Sequence, residues 1–303
     1  MSDIDHTQPT PRTVQNSPSD TAFATATMRA LAVRDERAEI RGGDYLAEIF
    51  LPPDRVMPLD DPAVRQQILR FKTSPGVYEY MLARTAYFDR VVKGALSQSV
   101  PQVVFLGAGY DSRPYRFRDL AASTMIFELD AAPTQARKRE LLDRAGIDRP
   151  LHLVYAPIDF NVDSASEVLL QAGFSREAQA LFVWEGVTYY LAAQAVDATL
   201  AAIKTIALPG STICFDYGAL SPETLGDESA KKLREHMKSN YAAEPTRFGV
   251  PRGQMAAFLS ARGYTLLEHL DAAEMAARYL TLNDGSLVGQ PPALFALVHA
   301  AIY

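Results

Sequence analysis

Val103-Val104-Phe105-Leu106-Gly107-Ala108-Gly109-Tyr110-Asp111-Ser112-Arg113 is the stretch on which the fold turns. An apolar run enters a turn with two glycines, and the turn carries an acid. Glycine has no Cβ, so such a turn lets a ligand approach the backbone closely. Asp111 indicates which ligand. A pyrophosphate would be repelled by a carboxylate placed there, whereas a ligand with an ammonium group would be attracted. The dinucleotide fingerprint also asks for a third glycine at its sixth position, where this chain has Ser112. The expected ligand is S-adenosylmethionine (SAM) rather than NAD.

Outward from this turn, the chain alternates between strands and helices. Strands are expected at 102–106, 124–129, 151–155, 180–184, 211–216, 264–268 and 293–299. Helices are expected at about 132–145, 164–172, 192–206, 252–262 and 271–280. The early strands are continuous apolar runs, as in parallel strands buried on both faces. Alternation at this spacing predicts a doubly wound α/β sheet. The last strand follows Gln290-Pro291-Pro292 with little room for a crossover helix, so it is expected to enter antiparallel. Before the sheet, residues 76–96 repeat apolar side chains at helical steps, and 21–38 reads as an Ala-rich helix. The charged segment 221–249, helical over about 228–241, breaks the alternation and is expected to form part of a lid over the ligand. The domain reading is a tail at 1–20, a helical cap at 21–98, and a cofactor-binding domain at 99–303 carrying that lid.

The chain has 303 residues, a formal net charge of −6 and one cysteine. No basic run suggests a nucleic-acid groove. Cys214 sits in an apolar run and reads as a small core residue; a thiolate metal cluster is excluded, and no metal is expected. The polar N-terminus lacks a signal-peptide core, and no apolar run reaches the length of a membrane span. A cytoplasmic protein with no membrane partner is expected; the oligomeric state is left open.

Ligands of open α/β sheets bind outside the carboxyl ends of the strands, and acids recur there. Asp130 lies about twenty residues beyond the glycine turn, a spacing that suits an acid accepting from ribose hydroxyls. It could instead cap the following helix, and Glu128 competes for the ribose role. Asp159-Phe160 offers a carboxylate for an adenine amino group and an apolar edge for the ring, or a loop cap. Glu185 ends an apolar strand, where burial without a partner is costly. It either meets a cationic part of the ligand or pairs with a structural arginine.

Several motifs together resemble the leucine carboxyl methyltransferase-like family. They are Leu106-Gly107-Ala108-Gly109-Tyr110-Asp111-Ser112-Arg113 with Tyr115-Arg116-Phe117; Pro75-Gly76-Val77-Tyr78-Glu79-Tyr80-Met81-Leu82-Ala83-Arg84-Thr85; Phe127-Glu128-Leu129-Asp130; Asp159-Phe160; and Glu185-Gly186-Val187-Thr188-Tyr189-Tyr190-Leu191. The resemblance spans roughly residues 21–220 and follows the bacterial small-molecule and polyketide O-methyltransferase branch more than the phosphatase-methylating members. It implies a class I, Rossmann-like SAM-methyltransferase fold with a mostly parallel seven-stranded sheet. It also implies roles. Arg84, with Arg29 as a helper, would bind the methionine carboxylate of SAM, for which the arginine fork is suited. Gly107, Ala108 and Gly109 would pack against the methionine part, Asp130 would hold the ribose, Asp159 and Phe160 the adenine, and Glu185 would lie near the methionine end. Without the resemblance, Arg84 could equally be a helix-face ion pair.

The expected reaction is direct methyl transfer to a carboxylate or hydroxyl of a small metabolite. Tyr189, Tyr190 and Tyr217 are candidate substrate-facing groups, with His236 and Arg247 in the lid. The alternatives are a SAM-binding regulatory or partner protein without methyl transfer and, less favoured because of Asp111 and Ser112, an NAD-dependent oxidoreductase.

Overall fold

The computed structural model describes residues 15–221, 226, 228–240 and 244–303. Most of the expected N-terminal tail, residues 1–14, lies outside them. Its end is ordered around Ser19, which caps the first helix, Asp20–Val33, by accepting from Ala22 N at 3.0 Å. That helix stops short of residue 38. Asp35 accepts from Arg37 N at 3.0 Å, and this local side-chain turn competes with a further helical turn.

Strands β1 (Gln102–Leu106), β2 (Met125–Asp130), β3 (Leu153–Pro157), β4 (Ala180–Trp184) and β5 (Thr212–Leu220) form the parallel part of the sheet. A two-residue strand, β6 (Val250–Pro251), pairs with the end of β5 and has no counterpart in the sequence reading. β7 (Tyr264–Leu270) and β8 (Phe295–Ile302) complete the order β3-β2-β1-β4-β5-β8-β7. β8 runs antiparallel to both β5 and β7, as expected, although the connection from β7 also holds the helix Ala272–Tyr279. β5 extends past Asp216 to Leu220 because β8 pairs with it as far as Gly218, opposite Phe295. This is the class I SAM-methyltransferase fold.

Side chains alternate across each strand, so the sheet feeds two cores. Val103, Phe105, Leu181 and Val183 join the core beneath the long helix Val77–Ser97. Val104, Leu106, Phe182 and Trp184 join the core under the helices Ala165–Gln171 and Ala193–Ile206. The helix Val77–Ser97, part of the expected N-terminal cap, is thus built into the main core. Cys214 is fully buried in that same core. Among the described residues no helix is long and apolar enough to cross a membrane. The strand order reverses between β1 and β4, which opens the sheet at their carboxyl ends and fixes where the site must lie.

Candidate active site

The Gly107 turn leaves β1 and meets the loop leaving β4 at this switch point. Gly107 has φ +71°, and a Cβ there would stand 2.4 Å from Val187 Cγ2. Only glycine allows both the backbone conformation and the close approach. The N–H groups of Gly107 and Ala108 donate to Leu129 O at 2.7 and 3.0 Å, which ties the turn to the end of β2. A cavity of about 660 Å³ opens above it. Gly107, Ala108, Gly109, Asp111, Asp130, Asp159, Phe160, Glu185, Arg84 and Arg29 all line this cavity. Residues from the helix Asp20–Val33, the helix Val77–Ser97, the helix Glu228–Asn240 and the 244–248 segment add to its wall.

Two arginines organise the acids. Arg84 rises from the helix Val77–Ser97. Its Nε donates to Glu185 Oε1 at 2.9 Å, and its Nη1 to Tyr189 OH at 3.2 Å and Asp216 Oδ2 at 3.4 Å. Among the described residues its Nη2 takes no hydrogen-bond partner. Arg113 is buried below. Its Nη1 donates to Asp111 Oδ2 and Glu185 Oε2, both at 2.6 Å, and its Nε to Asp89 Oδ1 at 2.7 Å. Glu185 therefore bridges two arginines, as its structural reading expects, and it also lines the cavity. Arg116 donates to both oxygens of Asp89 at 2.9 Å. Arg29 pairs with Asp44 at 3.0 Å and donates to Tyr110 O at 2.6 Å. Arg29 thus clamps the glycine turn itself. Four arginines (29, 84, 113 and 116) interlock with five carboxylates (Asp44, Asp89, Asp111, Glu185 and Asp216).

Burial pushes the Asp89 carboxyl up, but Arg113 and Arg116 outweigh it and hold it down at about 2. The same opposition leaves Asp111 below the ordinary range, with burial countered by Arg113, Lys138 and Arg29. Asp130 behaves differently. Burial raises it to about 6 despite the N–H groups of Gly109 and Ala131 that donate to it. It does not cap the next helix; Ala131 holds that position without a side-chain bond.

Two of the sequence expectations need correction. Glu128 does not reach the cavity. It is fully buried one step down β2, where Lys138 Nζ meets Glu128 Oε2 at 2.6 Å. Tyr217 is also outside the cavity lining; it projects to the opposite face of β5 from Asp216, and its hydroxyl lies 2.9 Å from His269 Nε2. Tyr189 and Tyr190 do line the cavity. Burial, reinforced by Asp216, raises the Tyr189 hydroxyl well above its ordinary value, so it stays protonated at neutral pH. His236 and Arg247 line the cavity too.

Sequence reading assigned no role to Arg113, Asp89, Asp44, Tyr80 or Asp216. A local signal existed for two of them: Arg113 follows Asp111 by two residues, and Tyr80 precedes Arg84 by one helical turn. Glu244 carried no signal. Its carboxylate accepts from Thr21 Oγ1 at 2.6 Å, Asp20 N at 3.0 Å and Thr21 N at 3.2 Å, at the N-terminus of the first helix.

A family model described as leucine carboxyl methyltransferase matches residues 22–204. The chain belongs to this family. Bacillus subtilis (strain 168) YktD, whose name places it among the S-adenosyl-L-methionine-dependent methyltransferases, is 31% identical over 208 residues, covering 68% of this chain and 67% of its own length. A Mycobacterium avium (strain 104) protein with the same kind of name is 31% identical over 228 residues, 72% of each chain. A solved DUF574 family protein from Streptomyces avermitilis MA-4680 shares the fold, with a TM-score of 0.58 at 12% identity over 96% of this chain and all of that one. A Thermobifida fusca YX structure described as a methyltransferase gives a TM-score of 0.57 at 15% identity, covering 94% of this chain and 95% of that one. The protein is a SAM-dependent methyltransferase.

The methyltransferase's own residues fit this cofactor. The glycine turn leaves a cradle that a Cβ would fill, and among the described residues Arg84 leaves one edge of its fork uncommitted and Asp159 is engaged at Oδ1 alone, by Asn161. Phe160 supplies an aromatic edge beside Asp159, with its ring 6.4 Å from that of Trp184.

Proposed function

We propose that the methyltransferase acts on an oxygen nucleophile, carboxylate or hydroxyl, of a small metabolite with a substantial apolar body. The observation that carries this reading is the state of the carboxylates in the cavity wall. Among the described residues, Asp111, Asp130, Asp159, Glu185 and Glu244 each already accept hydrogen bonds from neighbours. None of these carboxylates stands ready as a general base, which leaves His236 of the cavity lining as the group to take the proton of a hydroxyl acceptor. A carboxylate is ionised at neutral pH and needs none, whereas an alkylamine would have to lose a proton first.

When bound, SAM supplies a methyl group on a sulfonium, which is already activated. The protein's part is then to bind, align and keep water out. On this reading Arg84 takes the methionine carboxylate and Glu185, with Asp111 behind it, faces the ammonium. Asp130 accepts from the ribose hydroxyls, Asp159 from the adenine amino group, and Phe160 covers the ring. The acceptor half lies under the helix Glu228–Asn240. Leu233 and Met237 of that helix pack with Val77, Leu220, Leu294 and Phe295, all of which line the cavity. An apolar body suits this chamber.

Methyl transfer from radiolabelled SAM to a panel of apolar carboxylic acids, phenols and amines tests the reading. Methyl esters release methanol in alkali and ethers do not, so the product class is read directly. Label found only on amines would refute it.

Two further outcomes are expected. Asp130→Asn should weaken S-adenosylhomocysteine binding by about 1.5–3 kcal/mol, the worth of a charged hydrogen-bond set. The ribose hydroxyls donate, so the ionised carboxylate is the binding form. Affinity in the wild type should therefore hold at neutral pH and fall as the pH drops through about 6, the value to which burial raises Asp130. The variant should lose this part of the profile in calorimetric titrations; an unchanged affinity and profile would reject the ribose assignment. Glu244 lines the cavity and joins the 244–248 segment to the N-terminus of the first helix. Glu244→Ala should speed release of S-adenosylhomocysteine by about tenfold, since an anion at a helix N-terminus contributes up to about 2 kcal/mol. Stopped-flow dissociation measures this, and an unaltered rate would mean the junction does not gate exchange.

A further inference from the structure

We propose that Asp216, which does not line the cavity, is a positioning residue that sets the direction of the Arg84 fork and thereby gives the site its preference for ligands bearing an amino-acid carboxylate. This rests on the reading of Arg84 as the group that takes that carboxylate.

Asp216 stands at the middle of β5, opposite Leu297 of β8, and is fully buried. Its carboxylate is fixed from two sides. Gly186 N donates to Oδ1 and Tyr80 OH to Oδ2, each at 2.6 Å. Tyr80 is itself held by stacking on Phe295, with ring centroids 4.4 Å apart. The residue's backbone is pinned as well, since Thr188 Oγ1 donates to Asp216 O at 2.6 Å. These contacts come from the helix Val77–Ser97, the loop after β4 and β8, so the carboxylate has no freedom to follow a mobile partner.

Arg84 is the partner that must follow. Glu185 takes its Nε edge, and Asp216 and Tyr189 take Nη1. A guanidinium is planar with donors in fixed directions. Two anions on two of its edges therefore decide where the third points. That third edge, Nη2, belongs to a residue of the cavity wall and has no partner among the described residues. Glu185 alone would leave the fork free to turn about the Nε contact, and Tyr189, the other partner of Nη1, itself donates to Asp216 Oδ2 at 3.4 Å. Asp216 removes that freedom before the ligand arrives, and pre-organisation of this kind raises affinity by sparing the ordering cost.

An ordinary structural role for Asp216 makes a different prediction. A carboxylate that merely holds the fold together would affect every ligand of the site alike. One that aims Arg84 affects only ligands with the carboxylate. The probes are S-adenosylhomocysteine and 5′-methylthioadenosine, which share the adenosine and thioether but differ in the amino-acid group. Calorimetry on the full chain gives their affinity ratio.

Asp216→Asn keeps the shape, loses the charge and places a donor against Tyr80 or Gly186. It is expected to weaken S-adenosylhomocysteine by about tenfold and to leave 5′-methylthioadenosine unchanged. Arg84→Lys should collapse the ratio in the same way. If Arg84→Lys lowers the ratio but folded Asp216→Asn weakens both ligands equally, or neither, the positioning role is overturned while the Arg84 reading stands. If Arg84→Lys leaves the ratio unchanged, the Arg84 reading falls and takes the positioning role with it. Should Asp216→Asn fail to fold, Tyr80→Phe replaces it. That change releases Asp216 Oδ2 while keeping the ring on Phe295, and it should give a smaller loss confined to S-adenosylhomocysteine; an unchanged ratio in folded Tyr80→Phe overturns the proposal.

Discussion

Arg113→Met is expected to destabilise the fold by about 3–5 kcal/mol, the usual cost of stripping one partner from a buried ion pair. Methionine fills a similar volume, so the loss is electrostatic. Arg113 is 2% exposed and lies against Asp111, Glu185 and Asp89. Asp89 keeps Arg116 and Glu185 keeps Arg84, but Asp111 has no second ion-pair partner among the described residues. A whole domain is stable by only about 5–15 kcal/mol, so this one change consumes a large part of it. Urea unfolding should show a lower midpoint with an unchanged slope. A loss under about 1 kcal/mol would mean that the acids relax into water, as exposed pairs do. The same variant should bind S-adenosylhomocysteine poorly, because Glu185 and Asp111 would no longer be held in place.

Gly107→Ala is expected to be nearly as damaging, and by a separable mechanism. The residue has φ +71°, which costs an L-residue about 1–2 kcal/mol. A new Cβ would also collide with Val187 Cγ2 at 2.4 Å. Relieving that clash means moving either the turn or the loop that carries Glu185, and both belong to the cofactor wall. Methyl transfer and S-adenosylhomocysteine binding should therefore fall together. The double variant Gly107→Ala/Val187→Ala should recover the steric part and retain the backbone part. If the second change recovers nothing, the two loops are not in the contact described. If it recovers everything, φ +71° carries no strain at this position.

The sheet was legible because its signals are local. Strand limits at 102–106 and 180–184 are matched by the structure residue for residue. The antiparallel entry of the last strand was expected from the two prolines just before it, although the connection from β7 holds the helix Ala272–Tyr279. The acids at the strand ends were legible because parallel strands all deliver their carboxyl ends to one edge. The ladder of arginines beneath them was not. Asp44, Asp89 and Arg113 come from three separate segments, and no spacing rule links residues that far apart in sequence. The long helix Val77–Ser97 read as part of a cap, because periodicity shows that a helix has an apolar face but not what covers it.

Glu128 and Tyr217 show the same boundary at finer scale. Glu128 and Asp130 share one face of β2, so alternation cannot choose between them. The choice is made by depth. Register places Glu128 beside Phe105 and Tyr155, inside the sheet, and leaves Asp130 at its rim. Asp216 and Tyr217 are neighbours on opposite faces of β5, and alternation says only that they must differ. Which of the two meets the site depends on which face the helix Val77–Ser97 covers, since Tyr80 and Arg84 of that helix are what Asp216 touches. By itself the sequence determined the sheet, the glycine cradle and the kind of charge at the strand ends, because those follow from neighbours along the chain. The aim of each charged side chain was decided only by the tertiary structure, because a buried carboxylate is placed by the cations that other segments bring to it.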